Sequence, residues 1–322
     1  MGIYLTYTRK NDIIYGMMFP MNLIEFEKKF GTEESCRDYM FNLKYKEGYK
    51  CDLCGCTEYW IVKGIRIVCR HCRDVISLMS GTIFQDTHKP LSLWFRAMWW
   101  ITSQKNGTSA LGLQRILGIG SYKTAWTWLH KLRVAMVRPD RDKLKGTVEI
   151  DEAFIGGKQS GKNRERGTDN KTLVAVAVEI DGKNIGRIRL GVIPDVSSES
   201  LLEFLEKTVE KGSIVITDGW RGYSGIENIG YKRKISGKSF NEVDDKVLPN
   251  VHLVISLLKR WILGTLQGSL SYQHMDYYLD EYTFRFNRRT SASRGKLFYR
   301  LIEQAAEISP VSYNEIAERK GA

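Results

Sequence analysis

Leu173-Val174-Ala175-Val176-Ala177-Val178-Glu179-Ile180, then Asp181-Gly182, then Ile185-Gly186-Arg187-Ile188-Arg189-Leu190-Gly191-Val192-Ile193 is the stretch that decides the fold. Both runs are rich in β-branched residues. Asp-Gly between such runs is a strong hairpin signal, because the tight turn needs positive φ at its centre. Residues 197–210 follow as a helix with Ser197 at its N-cap and Gly212 beyond its end. Ile214–Thr217 is then a short buried strand that delivers Asp218. A hairpin, a crossover helix and a further strand make a mixed α/β sheet. Upstream, residues 147–150 read as a short strand ending at Asp151, and residues 156–170 as a polar loop. Downstream, residues 251–266 and 277–289 are expected helices.

Working outward from this unit, placed at residues 147–304, the chain divides into four more segments. Residues 1–20 read as an N-terminal extension, because the amphipathic text begins at Met21. Residues 21–80 hold helices and two Cys-x-x-Cys pairs, Cys51/Cys54 and Cys69/Cys72, fourteen residues apart. Each pair supplies two thiolates from one tight turn, and four soft ligands suit a single tetrahedral zinc ion in a zinc ribbon. Cys56 and His71 lie within the same module as lesser alternatives, and Cys36 reads as a small buried residue.

Residues 81–138 are rich in Trp and Leu at helical spacing. Within them, 109–117, Gly118-Ile119-Gly120 and 121–133 have the layout of a helix-turn-helix. Ala125, Leu129 and Leu132 would face the core, leaving Tyr122, Lys123, Thr127, Lys131 and Arg133 for phosphates and base edges. A plain helical hairpin would give similar text. Residues 305–322 are a C-terminal tail.

Charge narrows the partners. Lys plus Arg number 49 against 37 for Asp plus Glu, a net charge of +12. Such a surplus points to a polyanion, nucleic acid first and an anionic membrane surface second. Six Pro, 29 Gly and six Cys in 322 residues exclude collagen-like, disordered and disulfide-scaffold classes. The most apolar stretch, 91–101, is short and interrupted by Arg96, and the N-terminus carries no apolar signal core. A cytoplasmic protein with no membrane partner is the expectation.

Asp151 and Asp218, each placed at a strand end, are the candidate chemistry. Neighbouring carboxylates of this kind can share divalent cations, although aspartate at a strand end is also a common turn residue. Glu152 should point to the opposite face if the strand persists.

Several longer motifs carry a resemblance. Asp151-Glu152-Ala153-Phe154-Ile155-Gly156-Gly157-Lys158 resembles the Asp-Glu-x-x-Ile/Val-Gly-Gly-Lys signature of zinc-ribbon insertion-sequence transposases of the DDE superfamily, the IS-fifteen-ninety-five group. Thr217-Asp218-Gly219-Trp220-Arg221-Gly222-Tyr223 is similar to the second-aspartate motif of that group, and 256–260, Gly264-Thr265 and 278–289 to its C-terminal signature. Cys51 to Cys72 and Gly81-Thr82-Ile83-Phe84 also fit, so the likeness runs in order from Met21 to about Ala305.

The resemblance implies a multidomain chain: a zinc ribbon and helix-turn-helix, then an α/β RNase H-like catalytic domain built on the mixed sheet. It implies a transposase that binds terminal inverted repeats and cuts and joins strands with magnesium or manganese, two ions in all. Asp151 and Asp218 would be metal ligands. Relatives carry a third ligand seven residues before a lysine, and seven before Lys259 is His252, which gives an Asp-Asp-His-Lys variant. Helical spacing places His252, Ser256 and Lys259 on one face. Lys259 would hold substrate phosphate. Lys158, Lys162, Arg164 and Arg166 in the loop, with Arg285, Arg288 and Arg289, become candidate contacts to the DNA backbone. Partners would be double-stranded DNA at element ends and target, a second copy or more of the chain, and the nucleoid of a bacterial-type cell. The alternative is a domesticated, non-catalytic zinc-ribbon regulator that still binds DNA.

Overall fold

A computed structural model describes residues 19–62, 64–138, 140–156, 171–236, 247–267, 270 and 272–318. Helices α1 (Leu23–Phe30) and α2 (Glu33–Lys44) open the described chain, capped by the Asn22 and Thr32 side chains, which accept from the backbone N–H of Glu25 and Ser35. Strands β1 (Tyr59–Val62), β2 (Arg66–Cys69) and β3 (Val75–Ser77) form a small antiparallel sheet, with Tyr59 opposite Cys69. Helices α3 (Leu91–Ser103), α4 (Ala110–Leu117) and α5 (Tyr122–Ala135) follow. Gly118, at φ 62°, ends α4 in the left-handed conformation that a side chain resists, and this supplies the turn into α5.

The second half holds β4 (Thr147–Ile155), β5 (Thr172–Asp181), β6 (Asn184–Val192), α6 (Ser198–Thr208), β7 (Ile214–Thr217), β8 (Lys232–Ile235), α7 (Pro249–Leu266), α8 (Met275–Phe286), α9 (Arg294–Glu307) and α10 (Tyr313–Glu318). The sheet order is β6-β5-β4-β7-β8, with β5 antiparallel to β4 and β6, and β4, β7 and β8 parallel. The expected hairpin, crossover helix and returning strand are therefore present. Ser197 accepts from the Ser200 N–H at the start of α6, as its text requires.

Both faces of this sheet are covered, and the alternation in β5 shows how. Val174, Val176 and Val178 pack with α7 and α8 through Val251, Val254, Leu258 and Leu279. The smaller Ala175 and Ala177 face α6 through Leu201, Phe204 and Leu205. A strand buried on both sides reads as a continuous apolar run. The whole is a four-cysteine module and helices followed by a mixed five-stranded sheet with helices, consistent with an RNase H-like domain.

Two features differ from the sequence reading. Strand β4 does not stop at Asp151 but runs to Ile155, because Ala153 and Ile155 find apolar partners beneath α7. Helix α9, grouped by sequence with the α/β unit, packs instead on α3: Phe298, Leu301 and Ile302 join Phe26, Phe30, Phe95 and Trp99 in one core. Trp94 and Trp99 are core residues, and Trp94 stacks on Trp128 with ring centroids 3.7 Å apart. No helix among the described residues is long and apolar enough to cross a membrane.

Candidate active site

The parallel pairing of β4 with β7 sets the site. Thr147, Val148 and Glu149 lie opposite Ile214, Val215 and Ile216. Asp218 follows directly on the end of β7, and its carboxylate is near enough to Asp151 at the middle of β4 to act on it electrostatically. Helix α7 presents His252, whose Nε2 lies 3.1 Å from Asp151 Oδ2. The His252 side chain is 52% exposed and that of Asp151 19%.

Charge here is left uncompensated. Burial raises the Asp151 carboxyl above its usual range; its backbone hydrogen bond and His252 oppose that, and Asp218 adds to it. Glu152 is pushed up to about 7, by burial first and then by Asp151 and Asp218, against a hydrogen bond donated by Tyr223. Glu152 lies on the opposite face of β4 from Asp151, as alternation requires, where Tyr223 sits in the core with α6. Among the described residues no Lys or Arg lies within ion-pair distance of Asp151, Glu152 or Asp218. Asp218 is exposed and accepts from the Trp220 N–H at 2.8 Å.

Glu149 is the residue that sequence reasoning passed over. It is 5% exposed, and its carboxylate accepts from the backbone N–H of Asn250 and Val251, both at 2.9 Å, and from Asn250 Nδ2 at 2.8 Å. Helix α7 starts at Leu248–Pro249 without a side-chain cap of its own. The strand that carries Asp151 thus holds the first turn of the helix that carries His252. A glutamate inside the apolar text Val148-Glu149-Ile150 was the available signal, since a buried carboxylate requires donors.

Among the described residues only the four cysteines bring three or more ligand atoms close enough to share an ion; at the carboxylate face two donor atoms, one from Asp151 and one from His252, approach each other. Two ligands in adjacent positions of an octahedral ion stand about 3 Å apart, which is the separation of the His252 and Asp151 atoms. Cys51, Cys54, Cys69 and Cys72 have all four sulfurs within 4.8 Å of one another, with Cys51–Cys72 at 3.5 Å and Cys54–Cys69 at 3.6 Å. Ligands of tetrahedral zinc with bonds near 2.3 Å would be about 3.8 Å apart, so this cluster is compatible with zinc. Cys56 and His71 lie outside it.

The remaining residues are distributed unequally. Ser256 and Lys259 share the exposed face of α7 with His252. Tyr122 is 54% exposed, Lys123 holds its ammonium 3.7 Å over the Tyr313 ring of α10, and Thr127 donates to the Lys123 carbonyl. Lys131 is half-buried, with its pKa lowered by burial.

The assignment of Arg133 to DNA is corrected. It is 2% exposed and its Nε donates to Glu281 at 2.8 Å. Arg285 is likewise engaged with Glu281 and with the carbonyls of Ile101 and Gln104. Arg289 donates to the carbonyls of Ile185, Gly186 and Phe286, bracing α8 against β6. Arg288 is half-buried over the Phe284 ring. Lys158, Lys162, Arg164 and Arg166 lie outside the described residues.

Residues 143–287 match the family model of the ISXO2-like transposase domain, a DDE transposase domain. The match covers β4 to α8 and contains Asp151, Asp218, His252 and Lys259. A relative from Halobacterium salinarum, described as an uncharacterized protein in transposable element ISH50, is 25% identical over 218 residues, 62% of this chain and 72% of the relative.

Proposed function

We propose that this protein is a DNA transposase that binds the ends of its own element and cleaves and joins DNA strands. The observation that supports the reading is the contact of His252 with Asp151, with Asp218 nearby, inside the segment that matches a transposase domain. Asp151, Asp218 and His252 would hold magnesium or manganese, which activates a nucleophile and stabilises the leaving oxygen of an in-line phosphoryl transfer. Lys259, on the same helix face, binds the phosphate of the strand being cut. Glu149 fixes α7 to β4 so that His252 and Asp151 keep their mutual geometry.

The four cysteines hold one zinc and brace the N-terminal module. DNA end recognition falls to the exposed start of α5, Tyr122 and Lys123, with Thr127 and Lys131 behind, in an assembly of two or more copies. Because His252 offers a nitrogen where a carboxylate would offer oxygen, manganese should support the reaction better than magnesium.

The test is strand cleavage on a duplex carrying the inverted repeats that flank the gene, with each metal, for the wild type and Asp151→Asn. Metal-dependent nicking at the repeat end, lost in Asp151→Asn, is the expected result. Binding without cleavage under all conditions would instead identify a non-catalytic regulator.

A further inference from the structure

A cavity of about 880 Å³ lies where the helical module meets the edge strand β6, away from both the carboxylate face and the cysteine cluster. Its walls come from the segment after α5, from β6, from the end of α8 and from α9, and they are rich in arginine.

Two of these arginines, one buried and one half-buried, form no ion pair among the described residues, although Glu179 and Asp142 lie near enough to Arg189 to act on it. Arg189 is 5% exposed and donates only to the carbonyls of Ile188 and Asp142. Arg288 donates to the Phe284 carbonyl and stacks on the Phe284 ring. Neither has an ion-pair partner among the described residues. Both are pushed down to about 10: Arg189 by burial and then by Arg141 and Arg187, Arg288 by burial and then by Arg300 and Arg138. The lining carries six arginines and two lysines against the acids Asp142, Asp280, Glu303 and Glu307, so positive charge is in surplus here.

At the rim the existing ion pairs are loose: Arg138–Asp142 at 3.5 Å, Arg300–Glu303 at 3.6 Å and Arg141–Asp280 at 4.0 Å, against 2.8 Å for Arg133–Glu281. Independently, α9 lines the cavity with Gln304, 6% exposed, and Tyr299, 3% exposed. The Gln304 side-chain nitrogen and oxygen and the Tyr299 hydroxyl have no hydrogen-bond partner among the described residues. Buried polar atoms without partners are costly and rare, and these stand beside surplus guanidinium donors.

We propose that this cavity is a second anion site that takes phosphate groups, with Arg189, Arg288 and Arg300 supplying charge and Gln304 and Tyr299 supplying neutral donors. Guanidinium forks match phosphate oxygens in pairs, and the volume admits more than one phosphate. The phosphates belong either to a DNA strand or to a free polyphosphate. Because α9 and β6 belong to different halves of the molecule, a ligand here bridges them.

The experiment is calorimetric titration of the full chain with inorganic pyrophosphate, without DNA and without divalent metal, so its outcome is independent of strand cleavage. One saturable site per chain, with a pyrophosphate-dependent rise in Tm, is expected. Binding should weaken at least about tenfold in Arg300→Gln, whose side chain is 49% exposed and whose loss leaves the fold intact. Gln304→Leu should weaken binding with no fall in the ligand-free Tm, since it removes unpartnered polar atoms. Displacement of pyrophosphate by random-sequence duplex identifies strand phosphates as the source, and simultaneous binding identifies a free polyphosphate. Absence of saturable binding, or binding unchanged in both variants, overturns the proposal.

Discussion

Two carboxylate clusters in this chain are finished in opposite ways. Glu281, wholly buried, sits between Arg133 and Arg285 at 2.8 and 2.9 Å, and these cations hold its carboxyl low in spite of burial. Around β4, Asp151, Glu152 and Asp218 repel one another electrostatically with only the His252 imidazole within ion-pair distance among the described residues, and burial raises the pKa of the first two. The first cluster is charge-compensated: it ties α5 to α8 and the 101–104 segment through two guanidinium groups. The second is incomplete in a way that a cation would satisfy. Residue type alone does not separate structure from chemistry; the state of the counter-charge does.

The largest effect should follow from breaking the compensated cluster. Glu281→Ala leaves two buried guanidinium groups without a counter-charge, and unfolding in urea should show a loss of about 3–5 kcal/mol. A loss below about 1 kcal/mol would mean that water already serves this site.

A second prediction uses pH. His130 is 0% exposed and its pKa falls to about 2, through burial first and then Arg133 and His274. The folded state therefore keeps it neutral while the unfolded chain protonates near 6.5. Stability is fully present above that value and declines as pH falls towards about 2. Between pH 6.5 and pH 5 the wild type should lose about 2 kcal/mol from this group, and His130→Phe should flatten that slope. Identical slopes in the two proteins would place the proton elsewhere.

The smallest effect sharpens the comparison most. Helices α3 and α7 both begin without a cap of their own, and each borrows a glutamate: Glu33 accepts from the N–H of Leu91 and Ser92, Glu149 from those of Asn250 and Val251. Glu33→Gln and Glu149→Gln should each cost about 1 kcal/mol in thermal unfolding. Only Glu149→Gln should also slow cleavage, by about tenfold, because its helix carries His252. Equal activity in the two variants would remove Glu149 from the positioning of the site.

Much of this was legible in the sequence for local reasons. Asp181-Gly182 forms the hairpin because Gly182 takes φ 61°, and the Cys-x-x-Cys spacing brings four sulfurs together through short turns. The face of α7 that bears His252, Ser256 and Lys259 follows from helical period alone. What was not legible depends on distant partners. Arg133 and Arg285 carry the same charge as any DNA-contacting arginine, and only Glu281, 148 residues after Arg133, marks them as internal. The extension of β4 beyond Asp151 rests on apolar contacts from α7, about a hundred residues later, and the basic text Lys232-Arg233-Lys234-Ile235 becomes an edge strand only because β7 offers it a pairing partner. Strand β8 gave no apolar alternation to read.

On the proposed function, the Asp151–His252 contact belongs to the reacting centre and not to the fold. The direct measurement is the rate of strand cleavage by His252→Ala with manganese, taken together with its Tm. A rate lower by about a hundredfold or more is expected, because a ligand to the reacting centre is lost, with a Tm close to that of the wild type because the side chain is 52% exposed. Cleavage at near the wild-type rate would contradict it and leave His252 as a surface residue of α7.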